Sequence, residues 1–259
     1  MPLVNVAGEK LFYSLYTGDI TGRHNLVLVH GAGGSHMHWP AELRRLPGAN
    51  VYALDLPAHG RSGGHVRSTL QAYADTVHLF AQAIGLQRAA VLGHSMGGAI
   101  VQLLALRRPE WLEKVIIAGS GARLRVQPTI LEYLNPQTGM DGFEKALEMI
   151  CQQIYGPQAS RQMLLRGRQM LRAVAPSVIY ADYLACARFD LYDAVGSIML
   201  PTLVICGDED RMIPPEESCC LSQRIPNAQL VKIHGAGHMM IIEKPSEVAE
   251  AVSRFLGVA

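Results

Sequence analysis

Charge is scarce in this sequence. Of its 259 residues only 17% are Asp, Glu, Lys or Arg, and the formal net charge is +1. Binding to nucleic acid or to an anionic membrane face needs a concentrated basic surface, which such a balance does not supply. The expected partner is a small substrate, neutral or weakly charged, and no nucleic acid. Paired cysteine is also short. The five cysteines, Cys151, Cys186, Cys206, Cys219 and Cys220, are odd in number and form no CxxC or Cys/His spacing suited to zinc. Cys219 and Cys220 are adjacent, a poor geometry for bonding to each other. All five read as reduced thiols packed as small hydrophobes, which points to a reducing cytoplasm. The first residues lack a basic stretch followed by an apolar one, and no apolar run is long enough to cross a bilayer. Neither a signal peptide nor a membrane span is therefore expected. Internal repeats and low-complexity tracts are missing as well.

Apolar residues are abundant, at 49%, enough for a large core and too many for a disordered chain. The length suits one core carrying an insertion. Short β-rich runs recur at 26–29, 51–55, 89–93, 114–118, 202–206 and 229–233, each closed by Gly, Pro or Asp. They are continuous rather than alternating, as in strands covered on both faces of a mostly parallel sheet. Helical patterns lie between them, near 70–84, 99–107, 215–222 and 246–255, so an α/β layered fold is expected. From 122 to 195 no strand stands out. Amphipathic helices near 143–154, 159–172 and 176–188 are punctuated by Gly156-Pro157 and Ala175-Pro176. The organisation implied is a core of residues 1–121 and 196–259, with 122–195 inserted as a helical lid. Ordinary covering helices are the plainer alternative.

Gly93-His94-Ser95-Met96-Gly97-Gly98 follows a predicted strand and opens a predicted helix. That context makes a Gly-x-Ser-x-Gly motif informative, because the sharp turn exposes the serine hydroxyl above a helix N-terminus. Ser95 is the candidate nucleophile, and an incidental serine in a glycine-rich turn is disfavoured by the flanking elements. His94, adjacent on the tight turn, reads as packing. Two later strands end in loops with the remaining parts of a hydrolytic triad, in the order Ser, acid, His. Gly207-Asp208-Glu209-Asp210 offers three acids, and His234-Gly235-Ala236-Gly237-His238 offers two bases. The flanking glycines favour His238, since a base must swing back to the hydroxyl. Spacing alone leaves the acid open. An early glycine-rich loop, His30-Gly31-Ala32-Gly33-Gly34, could present a backbone N–H to an oxyanion. It also imitates a dinucleotide fingerprint, with Asp55 about 20 residues on. That rival is weakened by His36 at the position needing Gly or Ala, and by Pro40 soon after.

Taken together, these segments and the Asp55-Leu56-Pro57-Ala58-His59-Gly60-Arg61-Ser62 loop make nearly the whole chain resemble the α/β-hydrolase superfamily. The likeness is to its small-esterase, lactonase and cofactor-free haloperoxidase-like group with a helical cap. The resemblance implies an α/β-hydrolase fold, the acid at Asp210, the base at His238, and oxyanion donors at the Ala32 and Met96 backbone N–H groups. Ala58 departs from the glycine usual in its loop. Serine at the elbow separates the chain from the haloalkane dehalogenases and epoxide hydrolases of this fold, which carry aspartate there, and so favours acyl chemistry.

The activity this implies is a serine carboxylesterase hydrolysing short to medium acyl esters through an acyl-enzyme, without metal or organic cofactor. A lactonase, a carbon–carbon bond hydrolase or a perhydrolase would use the same triad. A weakly catalytic small-ligand receptor is the alternative of another class. In the lid, Met140, Met149, Met163 and Met170 with Leu164, Leu165 and Ile179 form a candidate acyl pocket, with ordinary core packing as the competing reading. Arg123, Arg125, Arg161 and Arg188 could meet a substrate carboxylate but read first as solvated helix faces. The sequence specifies no oligomeric state.

Overall fold

The computed structural model of the protein describes residues 2–258. Its centre is one eight-stranded sheet in the order β1-β2-β4-β3-β5-β6-β7-β8. The strands are β1 (Leu3–Val6), β2 (Glu9–Thr17), β3 (Asn25–Val29), β4 (Asn50–Leu54), β5 (Ala89–His94), β6 (Leu112–Ala118), β7 (Thr202–Gly207) and β8 (Ala228–Ile233). From β4 to β8 every pairing is parallel, and β2 alone runs against the rest, pairing antiparallel with both β1 and β4. Successive side chains of a strand point to opposite faces. Val27 and Val29 thus join one core layer with Val91, Val115 and Val204. Leu26 and Leu28 join the other with Leu92, Ile116 and Leu203. Burial on both faces is why these strands read as unbroken apolar runs.

Among the described residues ten α-helices surround or interrupt the sheet. They are α1 (Ala41–Arg44), α2 (Leu70–Ala83), α3 (Met96–Arg107), α4 (Pro128–Leu134), α5 (Gly139–Ile154), α6 (Arg161–Arg172), α7 (Pro176–Ala187), α8 (Pro215–Arg224), α9 (Met240–Glu243) and α10 (Pro245–Leu256). On one face α2, α3 and α8 cover the sheet through residues such as Phe80, Ile100 and Leu221. On the other, α1 and α10 supply Leu43, Val248 and Val252. Between β6 and β7 the chain is helical, comprising α4 to α7. These helices share a separate cluster of Ile130, Phe143, Leu147, Ile150, Leu171 and Ile179, which also meets Met239 of the core. Among the described residues no helix is long and apolar enough to cross a membrane.

Four elements depart from the sequence expectations. β1 and β2 carry no continuous apolar run, since the edge strand β1 and its neighbour β2 leave much of their length exposed. α3 starts at Met96 rather than Ala99, because Gly97 and Gly98 are helical despite their low propensity. α4 has too few residues to display a helical period.

Candidate active site

The turn between β5 and α3 is dictated by close contacts. Ser95 sits at φ 57° and ψ −119°, outside the usual range of L-residues. Its N–H donates to the Ala118 carbonyl at 2.8 Å, tying the turn to the end of β6. Gly93 and Gly97 are required on either side. A Cβ at Gly93 would collide with the Gly97 carbonyl, and one at Gly97 with the Val29 carbonyl. The strained serine is thereby held half-buried at the head of α3. Met96, the first helical residue, has an N–H with no acceptor inside the helix.

The loops after β7 and β8 bring two side chains together beneath this turn. His238 Nδ1 lies 2.8 Å from Asp210 Oδ2. A carboxylate oxygen only accepts, so Nδ1 carries the proton and Nε2 is left as the basic nitrogen. The second oxygen of Asp210 accepts the N–H groups of Met212 and Ile213, each at 2.9 Å. Both residues are buried. The competing pair goes elsewhere. His234 bonds Asp208 at 2.7 Å with its side chain 93% exposed, and Glu209 is exposed.

His94 does more than fill space. Its Nε2 donates to the His238 carbonyl at 2.9 Å and so fixes the backbone of the base loop. Burial, and then the neighbouring His238, push its pKa down to about 3. It stays neutral and keeps that donor. The sequence offered no signal for this role beyond its place in the elbow.

The glycine-rich loop after β3 makes a tight turn in which Gly34 N–H donates to Gly31 O at 3.0 Å. His30 supports the same carbonyl through Nδ1 at 2.8 Å, while its Nε2 accepts the Leu56 N–H at 3.1 Å. Burial, with the positive charge of His59 beside it, holds His30 well below the usual histidine range. A Cβ on Gly31 would stand 3.0 Å from the Cβ of Ser95, so the loop runs directly against the nucleophile turn. Among the described residues the Ala32 N–H has no protein acceptor. The dinucleotide alternative fails here. Asp55 is fully buried and already accepts from the His36 N–H, His36 Nδ1 and the Arg61 N–H. After the glycines comes a single 3-10 turn at His36–His38, with no long helix to receive a pyrophosphate.

A cavity of about 120 Å³ opens onto Ser95, His238 and Ala32. Its far wall is supplied by the helical insertion, through Ile130, Ile150, Met170, Leu171 and Tyr183. Of the apolar lid residues singled out in the sequence, only Met170 lines it. Met140, Leu164 and Leu165 are exposed, and Ile179 is buried. The lining instead comes from branched residues on the inner faces of α4 and α5, which periodicity could not separate from packing. Among the four arginines, Arg125 lines the cavity with a mostly exposed side chain. Arg123 pairs with Asp190 at 2.8 Å and covers the Tyr192 ring, and Arg188 is exposed. Arg161 lines a separate surface groove.

The conserved pattern of the alpha/beta hydrolase family matches residues 26–251, from β3 into α10. The chain belongs to that family. A pimeloyl-[acyl-carrier protein] methyl ester esterase of Yersinia pseudotuberculosis (serotype O:1b, strain IP 31758) is 29% identical over 259 residues, covering 95% of this chain and 97% of that protein. A thermophilic esterase of known structure superposes with a TM-score of 0.84 at 31% identity, covering 99% of this chain and 96% of the other. The enol-lactonase of Burkholderia xenovorans LB400 superposes with a TM-score of 0.89 over 99% of this chain and all (100%) of its own; at 22% identity it shares the fold. This alpha/beta hydrolase is therefore an enzyme of a hydrolytic family whose relatives act on esters and related substrates.

Proposed function

We propose that the protein is a serine carboxylesterase acting on short to medium acyl esters, with Ser95 as nucleophile, His238 as general base and Asp210 as the residue orienting the base. The observation that carries the reading is the buried His238–Asp210 pair, whose histidine lines the same cavity as the strained Ser95. Residues 122–195 are read as a cap closing the acyl-binding side.

In the first half-reaction Ser95 Oγ attacks the ester carbonyl while His238 Nε2 takes the hydroxyl proton. Asp210 holds the ring in the Nδ1–H tautomer and stabilises the imidazolium that forms. The N–H groups of Ala32 and Met96 receive the oxyanion. Collapse expels the alcohol, which recovers the proton from Nε2, and leaves an acyl-Ser95. Water then attacks the acyl carbon with His238 again as base, releasing the acid and restoring the hydroxyl. The apolar cavity wall, which includes Ile150 and Leu171, fits an acyl chain better than a charged leaving group.

The test is a series of p-nitrophenyl esters of increasing acyl length, assayed on the wild type and on Ser95→Ala, with fluorophosphonate labelling of both. The wild type should turn over the short and medium esters and be labelled at Ser95. The variant should lose activity by several orders of magnitude. A variant keeping more than about a tenth of the activity would remove Ser95 from the mechanism, since triad deletions cost far more.

A further inference from the structure

The mechanism above leaves two fully buried carboxylates without a task, Asp55 and Asp182, and only the second lies in the helical insertion. Asp182 lies on α7, inside the helical insertion, with no exposed surface. It reaches across to the core and accepts three hydrogen bonds there, each 2.8 Å long. Its Oδ2 accepts the Gly33 N–H and His59 Nε2, and its Oδ1 accepts the Tyr73 hydroxyl. Those partners come from three places: the loop after β3, the Asp55 loop and α2. His59 also directs Nδ1 at the Pro57 carbonyl, 2.9 Å away. Both of its partners only accept, so both ring nitrogens carry protons and His59 is an imidazolium paired with Asp182.

The Gly33 contact bears on catalysis. The Ala32 N–H lies in the Gly31–Ala32 peptide plane, and the Ala32–Gly33 plane adjoins it at the Ala32 Cα. The plane of Gly31–Ala32 is fixed through the Gly31 carbonyl, which accepts from His30 and Gly34. In a trans peptide the Ala32 N–H then points the opposite way. The next plane, Ala32–Gly33, is held on its N–H side by Asp182. Gly33 itself has φ +62°, a conformation that glycine adopts freely, so its geometry must come from its contacts. Ile179, one turn before Asp182 on α7, packs on the same glycine. The N–H of Gly33 is spent on the carboxylate, which leaves Ala32 as the donor of this loop.

We infer that Asp182 is a positioning residue for the oxyanion hole, through which the helical insertion sets the direction of the Ala32 N–H. The inference rests on the esterase reading. It also makes α7 a fixed wall: lifting it would leave an imidazolium, a carboxylate and a Gly33 N–H buried without partners.

Asp182→Asn is the discriminating substitution. An amide oxygen facing Gly33 and His59 removes the counter-charge of the imidazolium, and an amide nitrogen there opposes the Gly33 N–H. Neither orientation restores the native set. The expected result is a fall in kcat of about 10–100-fold with KM nearly unchanged, since a displaced oxyanion donor costs somewhat less than the 10²–10³ of a deleted one. Affinity for an aryl trifluoromethyl ketone, whose adduct with Ser95 places an oxyanion in the hole, should fall in parallel. Tyr73→Phe removes the third bond and leaves the Gly33 contact intact, so it should lower Tm while keeping kcat within twofold. The inference is overturned if Asp182→Asn loses Tm but keeps kcat and ketone affinity, or if Tyr73→Phe loses kcat equally. Should the Asn variant not fold, amide exchange at Gly33 in the wild type decides: the inference requires core-like protection, and fast exchange refutes it. A wild type that neither hydrolyses esters nor takes the fluorophosphonate would overturn the esterase reading, while Gly33 exchange would still report on the tie.

Discussion

The loops after β7 and β8 carry two histidine–aspartate pairs of almost the same length. His238–Asp210 measures 2.8 Å with side chains 4% and 0% exposed; His234–Asp208 measures 2.7 Å with side chains 93% and 32% exposed. Bond length does not distinguish them. The difference lies in what surrounds each pair. The outer pair competes with water and adds little to ring orientation. The inner pair is shielded, its carboxylate is held by two backbone N–H groups, and its histidine is held by His94. A hydrogen bond in a low-dielectric site orients a ring more strongly than the same bond in solvent. The chemistry of a triad is therefore set by where the backbone buries it, on loops that present equivalent residues to solvent a few positions away.

The sharpest break of this comparison is Asp210→Asn. The amide can donate to Nδ1 and so favours the wrong tautomer, and kcat should fall by about 10⁴. Near-normal turnover in ester assays on the folded variant would show that the inner pair is no better than the outer one. A smaller effect is expected from the cap wall. Ile150→Ala enlarges the acyl side of the cavity without touching the pair, so it should change KM by about 10-fold and shift preference toward longer chains. A loss confined to kcat would instead tie the cap wall to the reacting groups.

Another buried pair, His59–Asp182, extends the comparison to stability. Burial alone would lower the His59 pKa, but the charge and hydrogen bond of Asp182 outweigh it, and the net shift is upward, aided by Asp55. The folded state thus binds this proton more tightly than the unfolded chain. Its contribution is complete below the ordinary histidine value of about 6.5 and declines as pH rises through the raised folded value. Thermal melts from pH 6 to pH 9 should show Tm falling with pH, and His59→Gln should flatten that slope. An unchanged slope in the variant would assign the dependence to other groups.

Much of this was legible in the sequence because the parallel strands are buried on both faces and the elbow glycines have no tolerable substitute. Ser95 and His238, which the motif order singles out, line one cavity, and Asp210 bonds that histidine. The difference between Asp208 and Asp210 was not legible from spacing, since it lies in their burial. Asp182 was invisible for a similar reason. It is the lone charged residue of the otherwise largely apolar α7, and its partners lie 109 to 149 residues away along the chain. Ala58, which departed from the expected glycine, adopts φ 65°, so the loop keeps the glycine conformation with a side chain in place.

The smallest expected effect is the most exacting test of the opening comparison. Asp208→Asn removes the charge of the outer pair while leaving a side chain able to accept from the Gly235 N–H, now at 2.7 Å. With His234 almost wholly exposed, the ion pair contributes little to stability, and kcat should stay within twofold of the wild type. The Gly235 contact complicates this outcome, because it sits in the loop that ends at His238. If kcat fell tenfold or more, the outer pair would be acting on the inner one through residues 234–238, and burial alone would no longer explain the contrast. Unchanged kcat beside the collapse expected for Asp210→Asn would mean that two nearly equal bonds, a few residues apart, differ in function because only one of them is kept from water.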